Sequence, residues 1–171
     1  MITNESNDVT YERWAAYDSY AYLTVCDGPD DDSDHIAPHE APSPGDPELY
    51  SLDPSDFTAT VGVQPTRTAG RGDRRRRGGR YETRNLWELR SALPNDAAPH
   101  EHVKNILARL HVRWDRFVEV SRAYIVIMHV VSKGTNPGLA LDRPEVEMLA
   151  QIRAGLDVDM YPDGGDEAEK G

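Results

Sequence analysis

Near the end of the chain the stretch "LDVDMY" holds two aspartates two residues apart, Asp157 and Asp159. On a strand, residues i and i+2 leave from the same face, so the two carboxylates would stand side by side. Acid–base and metal chemistry both use that arrangement. The blander reading, and the favoured one, is a half-exposed polar face whose charges discourage edge-to-edge strand pairing. Tyr161 falls on the same face, and Tyr20, Tyr22 and Trp87 are candidates to join it. Such an acidic and aromatic patch suits the binding of a protein partner.

A second cluster has the opposite sign. Between Arg67 and Arg84 there are eight arginines against Asp73 and Glu82, a local net of +6 in a chain of net −11, which leaves −17 for the rest. Arg71, Arg74, Arg75, Arg76, Arg77 and Arg80 could neutralise the phosphates of a nucleic acid. Only Tyr81 is near enough to stack on a base, however, and the remaining charge repels a phosphate backbone. The favoured reading is a solvated loop balanced by acids elsewhere, with nucleic-acid binding as the alternative. Arg71-Gly72-Asp73 carries no weight as an adhesion motif.

The other chemistry-bearing residues point nowhere specific. His100 and His102 sit two apart at a predicted helix start, where such side chains do not meet. His111 is expected to pack, partly buried, beside an apolar helix face, and His129 to be a satisfied core histidine. "DDDSDH", Asp30 to His35, lacks the glycine and the terminal glutamate of a calcium loop. Cys26 adjoins acids that disfavour its thiolate. No G-x-S-x-G, P-loop or dinucleotide fingerprint is present. No metal site, no cofactor and no catalytic residue are expected, although an enzyme centred on Asp157 and Asp159 remains an alternative.

Behind these residues stand the elements that must position them. "YDSYAYLTV" alternates Ala21, Leu23 and Val25 with Tyr20, Tyr22 and Thr24, which predicts a strand. "LDPSDFTATVG" predicts a short helix with Asp53 as N-cap, Pro54 at N1 and Gly62 past its end. "VQPTRT" is an extended connection, because the residue before Pro65 is biased away from helix. "YETRNLWELRS" reads as a strand in which Trp87 and Leu89 alternate with Leu86, Glu88 and Arg90. Val103, Ile106, Leu107, Leu110, Trp114, Phe117 and Val118 predict one long amphipathic helix. "AYIVIMHVV", apolar on both faces, predicts a central strand. "LDRPEVEMLAQIRAG" predicts a second helix, with Asp142 as N-cap, Gly155 as stop, and Val146, Leu149 and Ile152 facing inward. "LDVDMY" closes the domain as a strand.

The order implies a single α+β domain, a mixed or mostly antiparallel sheet of about four to five strands with helices on one face and the other face more polar. The expected domain is 17–161. It is flanked by disordered tails at 1–16 and 162–171 and interrupted by an acidic, proline-rich loop at 27–47 and an arginine/glycine-rich loop at 67–80. From Asp27 to Pro47 there are seven acids and five prolines with no lysine or arginine, a composition from which no core can be built. At 171 residues, 38% hydrophobic content and a mean hydropathy of −0.67, the chain fits a modest core with solvated appendages. A single cysteine excludes an internal disulfide. No apolar run approaches the ~18–20 residues that span a bilayer, and the start has no basic-then-apolar leader. A cytoplasmic protein with no membrane contact is expected.

Several of these pieces occur together in a known pattern. "DPSDFTATVGVQPTRTAGRGD", "LWELRS", a long amphipathic helix, "AYIVIMHVV" and "GLALDRPEVEMLAQIRAGLDVDMY" resemble the DUF4279 family of bacterial and phage proteins. The resemblance runs from about Asp53 to Tyr161. It departs at the acidic insertion after the first strand, at the arginine run and in the acidic tail. What it implies is a compact α+β domain; it brings no activity and no catalytic residues. The functional expectation is thus a non-catalytic interaction domain, of immunity or other accessory type, that binds another protein, a basic one by charge.

Overall fold

Asp18–Cys26 forms strand β1, and its inward residues Ala21, Leu23 and Val25 are wholly buried. The strict alternation of the sequence is what sends them to one side of the sheet. The computed structural model describes residues 18–27, 51–73, 81–133 and 138–161. The expected tails, nearly all of the 27–47 loop and Arg74, Arg75, Arg76, Arg77 and Arg80 lie outside the described residues.

After β1 come helix α1 (Pro54–Val61), strands β2 (Arg67–Ala69) and β3 (Leu86–Arg90), and helix α2 (Pro99–Leu110). A 3₁₀ turn (His111–Arg113) leads to α3 (Trp114–Ser121), β4 (Ile125–Lys133), α4 (Arg143–Gln151) and β5 (Gly155–Tyr161). The five strands form one sheet in the order β2-β3-β1-β4-β5. All neighbours are antiparallel except β4 and β5, which run parallel with α4 as the crossover. The result is a single α+β domain with a mixed, mostly antiparallel sheet and helices on one face.

The helices cover the face carrying Ala21, Leu23, Val25, Trp87, Leu89, Val126, Met128 and Val130. They contribute Phe57 and Val61 from α1, Val103, Ile106, Leu107 and Leu110 from α2, Phe117 from α3 and Leu149 from α4. Phe57 sits at the aromatic centre, edge-on to Trp87 at 5.2 Å and to Phe117 at 5.9 Å between ring centroids. Burying one such side chain contributes roughly 1.5–3 kcal/mol, so this layer supplies most of the driving force.

The punctuation of α1 behaves as predicted. Asp53 Oδ1 accepts the backbone N–H groups of Ser55 (2.7 Å) and Asp56 (3.2 Å), and Gly62 closes the helix in the left-handed region at φ 68°. Five expectations need correction. The long helix is broken at His111–Arg113, because its halves pack on different partners: α2 lies on β1 and β4, while α3 lies against α1. A straight rod from Pro99 to Ser121 would be about 35 Å long and would overshoot a five-strand sheet. The bend also turns His111 outward, so it is exposed rather than packed. Gly155 does not stop α4; the chain leaves the helix at Ile152 and Arg153, the latter at φ 53°, and Gly155 opens β5. Val146 is exposed, because only Leu149 and Ile152 reach the sheet. β4 is an interior strand, but the middle of the sheet belongs to β1.

Candidate functional site

The face of the sheet away from the helices is set by register. Directly paired residues in adjacent strands share a face, so the pairings read across it as rows. One row runs Arg90, Tyr22, His129, Asp157; the next holds Tyr20, Val131 and Asp159; the outermost holds Asp18, Lys133 and Tyr161. In the other direction come Arg67, Glu88, Thr24 and Ile127, then Ala69, Leu86, Cys26 and Ile125. The face therefore grades from charged and aromatic at one end to apolar at the other. At the apolar end Cys26, Ala69 and Leu86 are buried with Ile125 beside them, a second small cluster to which no described helix contributes.

The polar end is a continuous chain of ring contacts. The Arg90 guanidinium lies over the Tyr20 ring at 4.5 Å, Tyr20 stacks beside Tyr22 at 6.2 Å, and Tyr22 stacks on His129 at 4.5 Å. His129 Nδ1 is 3.0 Å from Asp157 Oδ2, which fixes the imidazole and joins β4 to β5. Asp157, Asp159 and Tyr161 are all exposed. Burial, helped by the negative charge of Glu88, pushes the Tyr22 phenol up to about 12. Glu88 is itself raised by burial, against the opposing pull of Arg67. Tyr22 thus stays a neutral hydroxyl able to donate and accept.

The structure brings five of the six predicted patch residues together: Tyr20, Tyr22, Asp157, Asp159 and Tyr161. Trp87 is the correction. It pairs with Val25, an inward residue, and is fully buried with its Nε1–H donating to Thr58 Oγ1 at 3.0 Å. Its face follows from that pairing, which puts it in the core among Phe57 and Phe117. His129 is the reverse case. Expected in the core, it stands on the helix-free face because its partner across β1 is Tyr22.

Of the basic candidates, Arg67 is not in a loop. It opens β2 and is held by Glu82, with Glu88 3.7 Å away. Arg71 is exposed at a turn closed by Gly72, whose φ of 88° favours glycine. Asp73 Oδ2 accepts the Gly70 N–H at 2.7 Å, so that carboxylate is engaged within the turn.

Asp27 was missed as a site residue because in sequence it merely begins the acidic loop. It is buried, and its carboxylate accepts Leu52 N–H (3.0 Å), Asn85 N–H (2.8 Å) and Asn85 Nδ2–H (2.7 Å). It ties the end of β1 to the entries of α1 and β3. An aspartate immediately after a strand, followed by glycine, is the only signal the sequence offers, and it is faint.

Among the described residues no group of three or more His, Cys, Asp or Glu is placed to hold a metal ion. One concavity of about 300 Å³ lies between α2 and α4, lined by Lys104, Leu107, His111, Glu145 and Met148. Another surrounds the 3₁₀ turn and the start of α3, lined by His111 to Arg116. Neither includes Asp157 or Asp159. Among the described residues no helix is long and apolar enough to cross a membrane.

Fold and face together define an α+β domain with one sheet face packed and the other carrying aromatic, histidine and carboxylate side chains. The family profile described as a domain of unknown function, DUF4279, matches residues 46–163, and the chain belongs to that family. The match begins after β1, so the middle strand of the sheet lies outside it. No curated protein and no solved structure matches the chain.

Proposed function

We propose that the chain is a protein-interaction domain whose helix-free sheet face, around Tyr20, Tyr22, His129, Asp157, Asp159 and Tyr161, contacts another protein. The observation that carries this reading is the convergence of stacked aromatic rings and exposed carboxylates on one face from three strands. Tyrosines offer large contact area at low entropic cost, and their hydroxyls satisfy polar groups at an interface. The net charge of −11 favours a partner with a basic surface and speeds encounter with it. An accessory or immunity-type role in the cytoplasm suits those properties.

Affinity capture from the native cell tests it, comparing the unaltered chain with Tyr20→Ser/Tyr161→Ser and with the helix-side change Glu147→Gln. A partner retained by the chain and by Glu147→Gln but lost by the tyrosine variant is expected. Equal retention by all three would count against the reading. Nucleic-acid binding through Arg71, Arg74, Arg75, Arg76, Arg77 and Arg80 is the second proposal. Its support is their charge, and Arg67, the arginine before them, already serves Glu82 and Glu88. A salt titration with single- and double-stranded DNA and RNA decides it.

A further inference from the structure

Among the described residues the strand β5 is an edge of the sheet, paired on one side with β4. It is seven residues long, and every residue in it except the half-buried Val158 is exposed. Proteins usually guard such an edge with charged side chains, a proline, a bulge or a covering element. Here the guard is Asp157 and Asp159, which repel an acidic strand but not a basic one. The span "GLDVDMY" contains no proline and no lysine, and it stays in register with β4 from Gly155 to Tyr161. Its two sides differ in chemistry. Asp157 and Asp159 stand on the helix-free face. On the helix side Leu156 and Met160 are 47% and 45% exposed, with Val158 between them partly packed on the core.

We infer that this edge captures an extended segment of the partner as a sixth strand, one that alternates basic and apolar side chains. The inference rests on the interaction-domain reading above and adds the mode and chemistry of binding. An incoming strand hydrogen-bonds to the backbone groups of β5 on the side away from β4, and its side chains alternate between the two faces. Those on the helix-free side meet Asp157 and Asp159, two residues apart, so lysine or arginine at the same spacing gives cross-strand opposite-charge pairs. Those on the other side extend the apolar row of Leu156, Val158 and Met160, which the helices leave partly bare.

Charge decides among the possible occupants. A second copy pairing β5 on β5 would set aspartates against aspartates across the new ladder, and like charges directly opposite are destabilising. The described residues that bound the chain's own arginine run, Asp73 and Tyr81, follow β2 and precede β3, at the other end of the sheet. β2 and β5 are four strand spacings apart, about 19 Å, and the run has no apolar alternation. A basic–apolar strand from a different protein meets both requirements.

The test uses the full chain and three labelled nonapeptides: alternating lysine and valine, alternating glutamate and valine, and the lysine peptide with its central valine replaced by proline. Binding is followed by fluorescence anisotropy, and its site by amide hydrogen exchange and chemical shifts in NMR. The lysine–valine peptide is expected to bind at about 50 mM salt and weaken as salt rises. It should slow exchange of those β5 amides that do not pair with β4 by about tenfold or more. The glutamate peptide should not bind, and the proline peptide should lose most affinity because it cannot complete the ladder. Asp157→Asn/Asp159→Asn should weaken binding by about tenfold, and Asp159→Asn alone, which leaves the His129 contact intact, by less. Equal binding of the proline peptide, or no binding of the lysine peptide, overturns the inference. Binding that shifts Tyr20, Tyr22 and His129 while β5 amides stay unprotected also overturns it, yet leaves the interaction-domain reading standing.

Discussion

The two faces of the sheet are built from the same strands and differ in almost every other respect. On the helix side Ala21, Leu23, Val25, Trp87, Leu89 and Met128 are wholly buried, and the aromatic rings meet edge-on around Phe57. On the other side Tyr20, Tyr22 and His129 stack in a row that ends on an exposed carboxylate. The first arrangement excludes water and holds the fold. The second leaves polar rims in water, where they add little to stability and remain available to a partner. The difference teaches where to look for function in a chain whose described residues gather no metal-type cluster: on the face whose order the core does not require.

The contrast can be broken most forcefully at Trp87 and Tyr161. Trp87→Ala should cost about 3–5 kcal/mol, through lost burial and the cavity it leaves. Tyr161→Ala should fall within about 0.5 kcal/mol of the parent, both read from urea unfolding. Comparable effects at the two positions would erase the distinction.

Asp27 comes next. Asp27→Ala leaves the Leu52 and Asn85 amides without their acceptor in a buried setting, and a loss of about 2–3 kcal/mol is expected. A change under about 0.5 kcal/mol would mean that water or other groups already serve those donors.

Tyr22 sharpens the comparison at high pH. Its phenol ionises near 10 in the unfolded chain and at about 12 in the folded one. Stability that depends on it is complete below pH 10 and lost as pH rises from 10 towards 12, since the unfolded state releases the proton first. Tyr22→Phe should show a shallower alkaline loss than the parent when midpoints are compared across that window.

His102 gives the smallest effect, on the acid side. It is fully buried under β1, with Nδ1 2.9 Å from Ser91 Oγ, and burial holds its pKa below the usual value of 6.5. As pH falls below 6.5 the unfolded chain binds a proton that the folded one does not, so stability declines. An NMR titration midpoint for His102 at or above 6.5 would contradict this.

Much of the fold was legible in the residues, and the reasons are local. Period-2 alternation identified β1 and β5, and a cap, a proline and a glycine bounded α1. What was illegible depends on distant partners. Trp87 alternates with Glu88 in any register, but only pairing with Val25 decides which face it joins. His129 is placed by Tyr22 in the same way. The apolar period runs without interruption from Val103 to Val118, so nothing local announced the break at His111; the need to cover two different surfaces produced it. The patch at Asp157, Asp159 and Tyr161 was visible because one strand carries all three. The clamp at Asp27 was hidden because its donors lie 25 and 58 residues away.

The central claim is that the helix-free face and the β5 edge meet the partner while the helix side does not. A photo-crosslinking amino acid placed in living cells at Tyr20, Asp159 and Tyr161, and separately at Arg116 and Glu147 on the helices, measures that directly. The account predicts one common crosslinked protein from the three sheet positions and none from the two helix positions. A partner captured from Arg116 or Glu147 but not from the sheet would contradict it.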